Sequence, residues 1–280
     1  MSVAPVTPAV PALAGARSAA RRPRHDWLKQ LLVITGLLVV WEVVVRVYDV
    51  DPLILPPPSS IAENSVSLIA DGTLIEAAAN TFWILLQSIV VGSAIAVGLA
   101  AFGVFSNFGG LFLRTISSIM NPLPGVALLP LVMVWLGFGT KAIIAVILNT
   151  VVWVVALNLY TGFQATPLTL RRVGRSMQLS HFRMLKDIYL PSAVPSALTA
   201  MRMAWAYGWR TVISVELILG ATAGQSGLGS FIFSARYNYQ VEDLFSGLIA
   251  IIILGLLIEQ TIRAVERRTA VRWGLLENNT

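Results

Sequence analysis

Two consecutive stretches of this chain, from Thr115 to Thr140 and from Ala142 to Leu170, carry no charged side chain. A helix crosses a hydrocarbon core with roughly 20 mostly apolar residues, because each backbone N–H and C=O must find its partner inside the segment. Six segments reach that length: about 28–47, 81–105, 115–136, 142–163, 198–219 and 244–262. The fifth is interrupted by Arg202, Arg210 and Glu216. Composition agrees, with 56% hydrophobic and 12% charged residues, against about a quarter charged in a soluble domain. The expected fold class is an all-α membrane protein of about six transmembrane helices.

The formal charge of +6 raises the question of nucleic acid, but its distribution answers a different one. With the N-terminus inside, the inner segments hold fifteen Lys and Arg. Five lie in the leading tail, one is Arg114, five lie between the fourth and fifth spans, and four follow the last span. The outer side receives only Arg46, Lys141 and Arg236. Such asymmetry is the positive-inside rule. Both termini are therefore expected in the cytoplasm, with no nucleic-acid partner. Residues 1–27, rich in Ala, Pro and Arg, read as a disordered basic tail, and 263–280 as a second cytoplasmic tail. Arg21-Arg22 before an apolar run resembles a twin-arginine signal, yet no small-x-small cleavage site follows, so a retained first helix is expected.

Cysteine is absent, and His25 and His181 lie in unrelated segments; thiol chemistry and an imidazole metal centre are not expected. An intramembrane enzyme would need a nucleophile or metal group at depth, and no intramembrane His or paired carboxylate is present. A secondary transporter driven by an ion gradient predicts inverted repeats and midplane acids. No convincing repeat is visible, and Glu216 is the one clear acid deep in a span.

Elsewhere, Pro56-Pro57-Pro58 precedes a short surface helix with Ser60 as candidate cap. Small residues recur four apart in the second span as Gly92/Ala96 and Ala94/Gly98, either a close helix contact or ordinary scatter. Pro122, Pro124 and Pro130 imply a kink or an irregular start to the third span.

The connection over residues 164–197 is long and patterned. Leu170, Val173, Gly174 and Met177 share one face of a helix, with Arg171, Arg172 and Arg175 on the other. Ser180 is a candidate cap, and Phe182, Leu185 and Tyr189 form a second apolar face. Pro191 is expected to stop that helix, and Pro195 to fall in the first turn of the next. The tip, about 177–182, suits either a partner protein or anionic lipid.

Residues 188–195, reading Ile-Tyr-Leu-Pro-Ser-Ala-Val-Pro, resemble the end of the cytoplasmic "EAA" loop of ABC importer permeases, whose coupling helix docks into an ATPase subunit. Met201-Arg202-Met203-Ala204-Trp205, Trp209 and Val215-Glu216 continue the likeness. The opening departs: Arg172-Val173-Gly174 stands at the Glu-Ala-Ala position and Gln178 at the usual glycine. Leu55-Pro56-Pro57-Pro58-Ser59, Pro122-Leu123-Pro124 with Trp135-Leu136-Gly137-Phe138-Gly139, and Ser226-Gly227-Leu228-Gly229 also resemble the nitrate/sulfonate/taurine branch of that family. The resemblance implies a type I importer permease fold in a bacterial cytoplasmic membrane, with a second permease copy, two ATPases and an extracytoplasmic binding protein. No Gly-x-x-x-x-Gly-Lys-Ser/Thr occurs; Gly137-Phe138-Gly139-Thr140-Lys141 has the wrong spacing. The chain is thus expected to hold no cofactor, ATP and Mg belonging to the partner ATPase. Residues implied to couple to that ATPase are Arg175, Ser176, Met177, Gln178, Leu179, Ser180, His181, Arg183 and Pro191.

For a solute path, buried charge is the guide. Arg210 and Glu216 lie about 240° apart around one helix at 3.6 residues per turn, so each needs a partner elsewhere: another permease copy or the water path. Arg210 either lines the path, where it would favour an anion, or pairs structurally. Asn149, Trp153 and Asn158 are candidate lining groups, with ordinary packing the preferred reading of Trp153. Glu42 is expected to pack against another helix.

Overall fold

The computed structural model describes residues 26–220 and 227–272, with side chains over 28–220 and 227–266. Almost all of the tail over 1–27, the stretch 221–226 with Ser226, and the residues after 272 lie outside that description. Among the described residues every regular element is helical: α1 (Asp26–Val47), α2 (Pro58–Ala70), α3 (Thr73–Phe105), α4 (Asn107–Met120), α5 (Leu129–Leu136), α6 (Thr140–Gln164), α7 (Leu168–Ser176), α8 (His181–Met184), α9 (Leu190–Ser192), α10 (Val194–Leu219), α11 (Leu228–Tyr237) and α12 (Val241–Arg272).

The centre is α6, packed between α3 and α10. Of the two small-residue stripes on α3, only one is used. Gly92 and Ala96 are buried, and a Cβ at Gly92 would lie 2.9 Å from Val151 Cγ1. Gly103, further along the same face, meets Tyr160 in the same way. Gly98, on the other stripe, has nothing within 4 Å. In lipid, where apolar burial drives little association, such close backbone approach is a main source of packing energy.

Among the described residues four helices are long and apolar enough to cross a membrane: α1, α3, α6 and α12. The third expected span does not form one helix. It is broken into α4 and a segment containing α5, bent by 90°, with a 3₁₀ turn over Gly125–Leu128. Pro122 supplies no N–H to continue α4, which ends at Asn121 with that residue still in the α region; Pro124, extended at ψ 123°, turns the chain, and Pro130 sits in the first turn of α5. Counting this pair as one span gives five. Helix α10 has the length, 26 residues, but carries Arg202, Arg210 and Glu216.

Several ends differ from expectation for local reasons. Helix α3 begins eight residues before Thr81, at Thr73. Gly72 turns at φ 86° and the Thr73 N–H donates to Asp71 Oδ1 at 2.9 Å, which holds the Asp71 carboxyl below its ordinary range. Ser60 does not cap α2; its hydroxyl donates back to the Pro57 carbonyl at 3.1 Å. The α2 terminus is met instead by Glu42 of α1, which accepts from the Ser59 N–H at 3.0 Å and the Ser59 hydroxyl at 2.8 Å. A carboxylate there suits the exposed N–H groups and dipole. Arg46 donates to the same Glu42 at 2.6 Å, and Trp41 packs on Phe245 of α12 at 5.6 Å. Otherwise α1 stands out from the bundle, with Val45 its one buried hydrophobic residue among those described. Helix α12 continues past residue 262 to Arg272 because no Gly or Pro falls over 256–272 and the Glu259–Arg263 pair has the favourable i,i+4 order. Part of the expected C-terminal tail is therefore helical.

Candidate functional site

The connection over 164–197 folds as an elbow. Helix α7 ends in a Schellman arrangement: the Gln178 N–H donates to the Arg175 carbonyl at 2.9 Å and the Leu179 N–H to the Gly174 carbonyl at 3.1 Å. Closing it requires a left-handed residue, and Gln178 adopts φ 53°. Ser180 then caps α8, its hydroxyl accepting from the Arg183 N–H at 3.4 Å. Gly174 is buried between Ile188 and Met184, with no space for a Cβ. The close crossing of α7 on α8 is what demands a small residue there.

Pro191 does not stop the helix. A π-turn over Leu185–Tyr189 precedes it and the chain runs on as α9, with a break only at Ala193 before α10. The extra residue in the turn accommodates both the missing proline N–H and the ring that would strike the carbonyl four residues back. Pro195 lies in the first turn of α10.

The elbow is anchored at its base and bare at its tip. Arg171 donates to the Gln164 carbonyl at 2.6 Å and the Thr166 carbonyl at 2.9 Å, satisfying the end of α6. Phe105 of α3 packs on His181 at 4.7 Å and on Tyr189 at 5.6 Å, and Phe163 of α6 on Tyr189 at 5.7 Å. Arg175, Ser176, Met177, Gln178, Ser180, His181, Arg183 and Pro191 are exposed, and Leu179 is half-buried. Met177 is 67% and Phe182 73% exposed. The apolar face expected on α7 is therefore split, with Gly174 inward and Leu170, Val173 and Met177 facing out.

A cleft of about 450 Å³ opens where α6, α10 and the α4–α5 break meet, lined among others by Asn121, Asn149, Asn158, Tyr207, Arg210 and Thr211. A second, of about 560 Å³, lies between α10 and α12 and contains Arg202, Trp205, Trp209 and Glu259. Met203, Tyr207 and Arg210 line both, so these residues of α10 form the wall that the two spaces share. Trp153 lines neither. Its indole N–H donates to Asn149 Oδ1 at 3.1 Å and fixes the amide, whose Nδ2 is buried at the cleft edge without a partner. Tyr207 carried no signal in the sequence, being one aromatic in an apolar helix.

Glu216 is not on either cleft. It is 0% exposed and its partners come from this chain, not from a second copy or a water path. The Thr81 hydroxyl lies 2.9 and 3.0 Å from its two oxygens, the Gly229 N–H donates to Oε2 at 2.9 Å, and the Leu228 N–H donates to Thr81 Oγ1 at 2.8 Å. Gly227 and Gly229 press so closely on Glu216 that neither has space for a Cβ. The carboxyl thus ties α3 and α10 to the start of α11. The Gly-x-Gly at 227–229 was the only hint in the sequence.

The family model described as "Binding-protein-dependent transport system inner membrane component" matches residues 74–271. The taurine transport system permease protein TauC of Escherichia coli (strain K12) is 31% identical, over 83% of this chain and 85% of that protein. The putative aliphatic sulfonates transport permease protein SsuC of Bacillus subtilis (strain 168) is 25% identical over 90% of each. The nitrate import permease protein NrtB of a Synechocystis strain is 28% identical over 85% of this chain and 88% of its own length. Among solved structures, the inward-facing MetNI methionine ABC transporter superposes with a TM-score of 0.55 at 22% identity, covering 74% of this chain and 98% of that one. An amino acid ABC transporter gives 0.56 at 17% identity, over 74% and 97%. Both share the fold. The chain belongs to the binding-protein-dependent inner-membrane components, the membrane-spanning permease subunits of ABC importers.

Proposed function

We propose that this permease forms the translocation path for a small anionic solute of the sulfonate, taurine, nitrate or aromatic carboxylate type. The observation that carries the reading is Arg210, which opens onto both clefts and has no ion-pair partner among the described residues. A cation held there without a counter-charge is costly unless water or a passing anion meets it. The names of the taurine, sulfonate and nitrate relatives support the same class.

The chain works as one of two identical copies with two ATPase subunits, which bind ATP and Mg, and an extracytoplasmic binding protein. Both termini are cytoplasmic, an orientation supported by the distribution of Lys and Arg. The ATPases dock on the exposed tip, Arg175 to His181 with Arg183, where Met177 and Phe182 offer apolar anchors. ATP binding closes the ATPase pair and moves the tip. The path then opens alternately to either side, a population shift driven by the different ATP affinities of the two states. The test is reconstitution in proteoliposomes with the ATPase and binding protein, supplying labelled taurine, ethanesulfonate, nitrate and benzoate. ATP-dependent uptake of at least one is expected; no uptake of any anion defeats the reading.

A further inference from the structure

We infer that Arg210 and Arg202 form two successive anion stations along α10, so that the permease selects for negative charge by itself, independently of any binding protein. The inference rests on the reading of the clefts as a solute path, and adds where in that path the anion halts and what releases it.

The first station is the cleft at the α4–α5 break. Its lining includes no carboxylate. Arg210 offers an unpaired guanidinium, and Asn149 lines the same cleft with its Nδ2 just beneath the wall, a donor with no acceptor among the described residues that a small side-chain turn brings to the cleft. A planar fork beside a neutral amide N–H fits an oxyanion with several acceptor oxygens. Trp153 holds the amide in that orientation by occupying its oxygen.

The second station is the neighbouring cleft, reached past Arg210. Arg202 lies eight residues nearer the elbow, about 12 Å along the helix axis, and both arginines line this space. Its acid, Glu259, is committed to Arg263 at 2.5 Å. Arg202 faces Glu266 of α12 at 3.5 Å, the longest of the three ion pairs among the described residues. An anion arriving at Arg202 competes with Glu266, which makes the second station weaker than the first. Conduction needs sites strong enough to enter and weak enough to leave, and a carboxylate poised to reclaim Arg202 supplies the second condition.

The chain contains no cysteine, so single cysteines report on each space. Thr211→Cys probes the first and Ile252→Cys the second, in the full complex with its ATPase in membrane vesicles. The probes are the anionic 2-sulfonatoethyl and the cationic 2-(trimethylammonium)ethyl methanethiosulfonates, with rates normalised to a free thiol. At Thr211→Cys the anionic reagent is expected to be favoured about tenfold, the preference vanishing in Arg210→Gln and surviving in Arg210→Lys. At Ile252→Cys the preference is expected to fall in Arg202→Gln and to rise in Glu266→Gln. A ratio that ignores Arg210 at the first cysteine, or Arg202 at the second, overturns the inference even if ATP-driven uptake of taurine or nitrate proceeds. Loss of uptake for every anion strikes instead at the transport reading beneath it.

Discussion

The Leu179 amide closes onto the Gly174 carbonyl at 3.1 Å across Gln178, a residue with a full side chain held at φ 53°. The loop pattern that this segment resembles has glycine at that position, and the geometry gives a reason: the hydrogen-bond pair that ends α7 cannot form unless the residue between adopts the left-handed region. Gln178→Gly is expected to stabilise the elbow by about 1 kcal/mol, the usual cost of a left-handed residue with a Cβ less the entropy of glycine. A higher midpoint of heat-induced dissociation of the permease–ATPase complex checks it. Gln178→Val should lower the same midpoint.

The buried Glu216 makes a graded series. Glu216→Gln keeps the volume and one acceptor, whereas Glu216→Ala leaves the Thr81 hydroxyl and the Gly229 N–H without their partner and opens a cavity. The loss is expected to be smallest for Gln and about 3 kcal/mol or more for Ala. Thr81→Val, which orphans the Leu228 N–H, should cost about 1–3 kcal/mol. Thermal unfolding of the detergent-solubilised complex orders the three.

Gly92 and Gly98 differ by six residues and by everything that surrounds them. Gly92→Leu drives a side chain into Val151 and is expected to cost about 3 kcal/mol, seen as loss of monodisperse protein on extraction. Gly98→Leu, facing open space, should extract like the native chain.

At the elbow tip, Met177→Glu and Phe182→Arg replace the exposed apolar anchors by charges without touching the bonds that hold α7 and α8 together. Each is expected to lower ATPase co-purification at least about tenfold, equivalent to about 1.4 kcal/mol of association. Unchanged recovery of the ATPase with both variants would remove the docking assignment.

Much of this architecture can be read from residue patterns alone, and the exceptions have physical causes. The uncharged run over 142–170 leaves α6 no other environment than lipid or protein interior. Arg210 and Asn149 stand out as polar groups at depth. The elbow's capping serine and its first-turn proline follow from rules that act over three or four residues. By contrast, the two small-residue stripes of α3 look alike in sequence, and only the rotation imposed by packing on α6 selects Gly92 and Ala96. The partners of Glu216 are as far away in the chain as Thr81, beyond any local signal. Helix α11, ten residues long, is too short to declare itself by length. Pro191 misleads because a π-turn, which no composition announces, lets a helix run through it.

The clasp between Glu42 and the start of α2 has a consequence for how α1 is held. Hydrocarbon tails welcome a row of leucines and valines as readily as another helix does, so the long apolar flank of α1 has no reason to prefer the bundle over the surrounding lipid. What fixes it is a pin at one end: a carboxylate, two serine atoms and an arginine, helped by a single tryptophan. A rod mounted like that owes its position to one polar latch and not to its greasy flank, so that latch is where its alignment is won or lost.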